Sequence, residues 1–295
     1  MTPSVRARLA WIVGLVVVTI GLVIALRTLD AERIVAAITH ASAPWLIAAV
    51  ICNVGILCAI GAFWRVLSPR DARVSYWRMF EIAAIATAVM NTIPFMAGHA
   101  TGVALLIKRA QLSLRSALTV LALDQLGEGI VKVSVCLAVA LFAPLPGWIH
   151  AGFIAITIAV AVLLVVLVVV ANTRTRWAEG LAALRDVRHG LLALVLVAMS
   201  KAMEGFGIAA VQHAFGLSFG VPAVLLVLAA VLLATMIPVS PGNLGAYEAA
   251  AFFVYRYLGV AAELALVLAI VQHLCFMASS VGVGYALGAR RALRG

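Results

Sequence analysis

Charge is scarce in this sequence: Asp, Glu, Lys and Arg make up 11% of it, while 65% is hydrophobic and the mean hydropathy is +1.18. A soluble exterior needs far more charge than that, so a water-exposed globular fold is excluded and the chain reads as a polytopic membrane protein. Its 295 residues leave no room for a separate soluble catalytic domain once the spans are counted. Acidic residues are scarcer still, 11 against 21 Lys plus Arg, giving a net charge of +10. The basic surplus sits in short loops: Arg6/Arg8, Arg65/Arg70/Arg73/Arg78, Lys108/Arg109/Arg115, the Arg174–Arg188 loop and Arg290/Arg291/Arg294. That is the signature of cytoplasmic loops, not of a nucleic-acid surface, and no nucleic acid is expected as a partner. The four cysteines (Cys52, Cys58, Cys136, Cys275) lie in apolar stretches without ligand spacing, which argues against a disulfide framework or a metal site. His-Glu-x-x-His, Gly-x-Ser-x-Gly, a P-loop and any Cys/His cluster are all absent, so no catalytic residue, metal or cofactor is expected. Without an ATP-binding motif, any transport must run downhill or on an ion gradient.

What is present is a series of long apolar runs. Six full crossings are predicted over 9–27, 44–64, 116–141, 150–171, 190–214 and 263–287, the first as a retained signal-anchor. Between them lie two hairpins, 79–111 and 221–258, each bent at a Pro/Gly/Asn-bearing interruption: Asn91–Gly102 and Ile237–Gly245. Ile93-Pro94 aligns with Ile237-Pro238 at an offset of 144 residues (238 minus 94), and Gly98-His99 with Gly242-Asn243 at the same offset. Further on, Leu121–Gln125 meets Leu268–Gln272 at an offset of 147. Matching interruptions in two halves point to a transport site, because unwound backbone at membrane depth persists only where protein or a watery cavity satisfies it. Hairpin legs of about 14 to 17 residues extend about 21–25 Å, short of a hydrocarbon core of roughly 30 Å, which favours re-entrant hairpins over complete crossings.

Loop charge assigns sides. The amino terminus, the 65–78 loop, Lys108/Arg109, the 172–189 loop and the carboxyl terminus fall on the cytoplasmic side; the 28–43 loop and Pro144–Trp148 fall outside, with Arg256 the outward exception. The expected fold is therefore all-α: a polytopic membrane helical bundle of six spans plus two re-entrant hairpins, forming one membrane domain over 1–295. Its inverted-topology repeats cover 9–141 and 150–287. Its expected location is a bacterial cytoplasmic membrane.

Ionisable residues at bilayer depth are costly and are normally functional or paired. Asp124, Glu128 and Lys132 follow one another at single-turn spacing; Lys201 and Glu204 sit at i, i+3; Glu248 lies in the returning leg of hairpin two. Glu128–Lys132 and Lys201–Glu204 can neutralise each other locally. Asp124 and Glu248 then need a tertiary partner or a proton. At the bends, Pro94, Pro238, Pro241, Gly98, Gly242 and Gly245 shape the turns, while Asn91, Ser240 and Asn243 are candidates for substrate contact. Asn243, and Thr101 or His99, are placed to cap the returning helices, whose buried N-termini would attract an anion such as a lipid phosphate. Gln125 and Gln272 complete the candidate set. His99 and His273 read as hydrogen-bonded structural groups, and Tyr247, Tyr255, Tyr257, Trp45, Trp77 and Trp148 as interface-belt residues. Gly284 and Gly288 permit a close helix contact.

At the two breaks the sequence resembles the lysylphosphatidylglycerol synthase transmembrane-domain family of flippase-like membrane proteins. The carrying residues are Asn91-x-x-Pro94-x-x-x-Gly98, Lys108-Arg109-x-x-Leu112-Ser113 and Ile237-Pro238-x-Ser240-Pro241-Gly242-x-x-Gly245-x-x-Glu248, and the likeness runs over about 10–287. The resemblance implies movement of lipids or lipid-linked precursors between leaflets, by a stand-alone member without the synthases' aminoacyl-transferase domain. Two departures stand out: His99 where the family commonly has an acidic residue, and Asp124-Gln125 where it often has Glu-Arg. The expected partners are membrane lipids. A second copy of the chain is a further expected partner, and enzymes of lipid and envelope synthesis would accompany the alternative of a non-transporting scaffold.

Overall fold

The computed structural model describes residues 31–93, 97–143, 145–173, 187–236 and 240–293. The expected first crossing (9–27), Pro94, Pro238 and most of the 172–189 loop lie outside them, as does the Trp148 side chain. Among the described residues the chain is helical: α1 (Ala31–Thr39), α2 (Ala43–Leu67), α3 (Tyr76–Thr92), α4 (Ala97–Ala110), α5 (Leu114–Phe142), α6 (Gly147–Thr173), α7 (Val187–Ala214), α8 (Val221–Ala234), α9 (Ala246–Tyr257) and α10 (Ala262–Ala292). Single 3-10 turns stand at Arg70–Ala72 and Pro241–Asn243.

Four of these helices (α2, α5, α7 and α10) are long and apolar enough to cross a membrane. A fifth, α6, is 27 residues long and contains no Asp, Glu, Lys or Arg. Starts and stops follow local chemistry. The Ser75 and Ser113 hydroxyls accept from the N–H groups of Arg78 (3.4 Å) and Ser116 (3.1 Å), capping α3 and α5. Pro44 and Pro222 occupy first-turn positions of α2 and α8, where a missing N–H costs nothing. The stretch read as an outer loop, 28–43, instead contains α1, whose first-turn Glu32 complements the helix dipole and which packs on α10. α10 also outruns its expected end at 287, carrying the helix on through Arg290 and Arg291.

The packing has a regular plan. α2 and α7 form the most extensive helix pair. Small residues let them approach: a Cβ on Gly55 would lie 3.2 Å from Met203 Sδ, and one on Gly207 would lie 3.1 Å from Asn53 Nδ2. Among these eight helices, exchanging α2–α5 for α7–α10 in order maps each remaining contact onto another. α3 on α10 answers α8 on α5; α3 on α4 answers α8 on α9; α2 on α3 answers α7 on α8; α4 on α5 answers α9 on α10. Two buried cores form, each centred in one half and joined by a few residues of the other, Ala193 and Val197 in the first and Ala49 in the second. One surrounds Met79, Ile82, Leu106 and Val120, the other Ile208, Val211, Tyr255 and Leu268. Large apolar side chains face outward instead, among them Ile47, Ile51, Val165, Val195 and Phe253, as a lipid-facing exterior requires.

Contacts at the extremities define two ends of the bundle. At one, Ser42 N–H donates to the Ala214 carbonyl (2.8 Å) and Arg33 approaches Glu263 (4.0 Å). At the other, Glu81 on α3 is met by Arg109 at the end of α4 (3.8 Å) and by Arg291 at the end of α10.

Candidate functional site

The two bends touch. Gly242, with φ of 59° in the Pro241–Asn243 turn, packs so tightly that a Cβ there would lie 2.8 Å from the Asn91 carbonyl oxygen and 2.9 Å from Met277 Cε. Only a residue without a side chain fits that approach and that dihedral. Asn91, 8% exposed, sends its Nδ2–H back to the Thr87 carbonyl (3.0 Å). Gly98 closes hairpin one: its missing Cβ leaves room for the Met90 backbone. At Gly284 the same economy lets α10 lie on Ala84 and Ala88 of α3, whereas a Cβ on Gly288 would meet nothing within 4 Å. Only the first glycine of that pair serves helix contact.

Beyond the second bend the chain restarts at Gly245, with φ of 88°. The Gly245 N–H donates to Glu248 Oε2 (2.7 Å), so the carboxylate three residues on caps its own helix. The other carboxylate oxygen, Glu248 Oε1, lies 2.7 Å from Nδ1 of His273 on α10. His273 is 2% exposed and stacks on Tyr247, with ring centroids 4.2 Å apart; its Nε2 has no hydrogen-bond partner among the described residues. Next to it, Gln272 links two tyrosines of α9. Tyr255 Oη–H donates to Gln272 Oε1 (2.8 Å) and Gln272 Nε2–H donates to Tyr247 Oη (2.7 Å). Gln212 of α7 adds a donation to Tyr255 Oη (3.3 Å).

A second cluster spans α5 and α7. Lys201 Nζ lies 3.1 Å from Glu128 and 3.2 Å from Glu204, and Lys132 lies 3.5 Å from Glu128. Two cations and two carboxylates thus cancel in the middle of two long helices, which keeps the burial of charge tolerable. Among the described residues Asp124 is held by hydrogen bonds alone: Trp64 Nε1–H donates to Oδ1 (2.9 Å) and Gln125 Nε2–H to Oδ2 (3.3 Å). The clusters are joined through α7: beyond Lys201 and Glu204 on that helix, Gln212 bonds Tyr255 and so reaches the Gln272 network. The result is a polar file through an otherwise apolar bundle: Asp124, Glu128, Lys201, Glu204, Tyr247, Gln272, His273, Glu248.

Measured against expectation, both local ion pairs form and Lys201 joins them into one network. Glu248 finds its tertiary partner in His273, and Asp124 finds Trp64. The caps differ. Asn243 does not cap α9: it sits in the turn at φ of 55°, and its buried Oδ1 lacks a partner among the described residues. α4 begins at Ala97, so His99 and Thr101 lie inside the helix and neither is its cap. The His99 Nδ1 is buried without a hydrogen-bond partner among the described residues. Ser240 donates to the Leu244 carbonyl (2.7 Å), bracing the turn before Gly245. Gln125 is exposed while Gln272 is 3% exposed, so that sequence correspondence does not extend to environment. Tyr247 and Tyr255, read as belt residues, are instead core residues at 5% and 0% exposure. The signal was available: Tyr247 directly follows a bend, too far from a leg's outer end to reach an interface. Trp45, Trp77 and Tyr257 do face outward. The cysteines are free, and no cluster of metal-ligating groups occurs among the described residues.

Residues 11–284 match the family described as the lysylphosphatidylglycerol synthase TM region. The chain belongs to that family. No curated protein matches it. Family membership agrees with a multi-pass membrane protein tied to lipid metabolism or transport, and it names a membrane region, not a catalytic domain.

Proposed function

We propose that this protein is a flippase-type transporter that moves a polar, phosphate-bearing lipid or lipid-linked precursor across a bacterial cytoplasmic membrane, both termini being cytoplasmic. The observation that carries the reading is the contact of the two bends at Asn91 and Gly242, beside a buried polar file that an inert bundle has no reason to keep. An inverted repeat with two re-entrant hairpins is supported by the exchange pattern of the helix contacts and by legs of 17, 14, 14 and 12 residues, about 18–26 Å each. In such a repeat the substrate lies where the bends converge. The Asn243 amide, whose Nδ2–H can donate, the His99 imidazole and the N-terminal end of α9 are the groups that would meet a headgroup there.

Reconstitution into liposomes with a fluorescent phosphate-bearing lipid, followed by quenching of the outer leaflet, tests this. Protein-containing vesicles should exchange the lipid between leaflets faster than empty ones, and Asn243→Leu and Glu248→Gln should each slow exchange by about tenfold or more. Wild-type exchange by both variants would remove the site from the bends. Exchange no faster than in empty vesicles would reject transport and favour a scaffold, whose function would then depend on the 65–78 and 172–189 arginines.

A further inference from the structure

The transport reading leaves its driving force open, and hairpin two offers one. Glu248 holds two contacts at once. One oxygen takes the first free N–H of α9 at Gly245; the other takes the Nδ1 edge of His273, each at 2.7 Å. The site where an anionic headgroup would dock is therefore already filled by a carboxylate of the protein. An incoming phosphate has to displace that carboxylate and would face its charge at close range. A proton removes both obstacles. Once protonated, Glu248 accepts poorly from Gly245 N–H, and the charge at the helix end is cancelled.

Resting on the flippase reading, we infer that Glu248 and His273 form a proton-binding dyad that takes up one proton as the headgroup phosphate binds, coupling lipid movement to a proton gradient. The proton enters through Glu248, whose side chain is 19% exposed, whereas His273 is 2% exposed. It adds to a lone pair of the dyad, and the Gly245 N–H passes from carboxylate to phosphate; no covalent bond between heavy atoms changes. The free Nε2 of His273 gives the pair a second place for a proton, buried against Tyr247 and Phe276.

The surrounding groups allow this. α9 contributes Tyr247 and Tyr255, both hydrogen-bonded to Gln272. α10 adds Cys275, Tyr285 (bonded to Thr92) and, at its ends, Glu263, Arg290 and Arg291. α7 brings Glu204, whose charge is balanced by Lys201. α8 has no ionisable residue; α2 carries Cys52, Cys58 and Arg65, and α3 carries Tyr76, Arg78 and Glu81 in its first turns. Arg256 of α9 donates to the Val260 carbonyl (2.6 Å), and among the described residues no lysine or arginine pairs with Glu248.

The test pairs two measurements on the full chain. In nanodiscs, the infrared carboxyl band that Glu248→Gln abolishes is followed between about pH 5.5 and about pH 8. It is followed alone, then with inorganic phosphate, then with phosphatidylglycerol added to the nanodiscs. In liposomes, lipid exchange is measured over the same range. The band should titrate and shift further with phosphatidylglycerol, and wild-type exchange should rise severalfold on acidification. Exchange by His273→Gln and Glu248→Gln, which keep a hydrogen bond at each position, should lose its dependence on pH. A shift with inorganic phosphate alone would make the free anion, not the lipid, the coupled ligand and overturn the lipid coupling. A band that does not titrate, or wild-type exchange flat with pH, overturns the proton dyad while leaving transport standing. A titrating band with no exchange at any pH rejects transport instead.

Discussion

The two hairpins share a plan and differ in chemistry. Hairpin one runs from α3 to α4 with residues 93–96 between them, and packs glycine against backbone at Gly98 and Met90. Hairpin two takes residues 235–245 to make its bend, with positive φ at Gly242, Asn243 and Gly245, and restarts on a capped helix. Among the described residues, all the carboxylate and imidazole bonding at the bends belongs to the second. The lesson is that two hairpins with matching contacts need not share their chemistry. One supplies a tight wall; the other supplies the polar groups against it.

Four substitutions put this comparison at risk. Glu248→Ala should cost the most, about 3–5 kcal/mol, because it strands a buried histidine and a helix-end N–H together; thermal unfolding in detergent followed by tryptophan fluorescence reads the loss. Gly98→Ala should come next at about 3 kcal/mol, since the obstacle is the Met90 backbone, which has no rotamer to yield. Gly242→Ala should cost about 2 kcal/mol: the left-handed dihedral and the Asn91 carbonyl oppose it, but Met277 can swing aside. His99→Ala should change stability by no more than about 0.5 kcal/mol, because its buried nitrogen has no bond to lose. If His99→Ala matched Glu248→Ala, the division of labour between the hairpins would be wrong.

Much of the architecture was legible in the sequence. Apolar runs and their Pro/Gly/Asn breaks placed the helix ends within a few residues of those found, because a membrane helix needs an unbroken apolar stretch. The local ion pairs were legible too, since helical spacing alone brings Glu128 to Lys132 and Lys201 to Glu204. What was not legible depends on contacts between distant segments. Trp64 reaches Asp124 across 60 residues, and His273 reaches Glu248 across 25. The buried tyrosines were misassigned because a phenol ring suits an interface and a polar core equally, and only the position of Tyr247 beside a bend discriminates. Asn243 was mistaken for a cap because the true cap function came from Glu248, downstream of it.

Glu81 has a consequence of its own. It binds arginines from two stretches of chain far apart in sequence, Arg109 where hairpin one leaves the bundle and Arg291 where α10 ends. Three elements are thereby fastened at a single carboxylate on one face. Moving the end of α4 or of α10 away from α3 has to break a link to that one carboxylate, so the ends of the three helices are yoked.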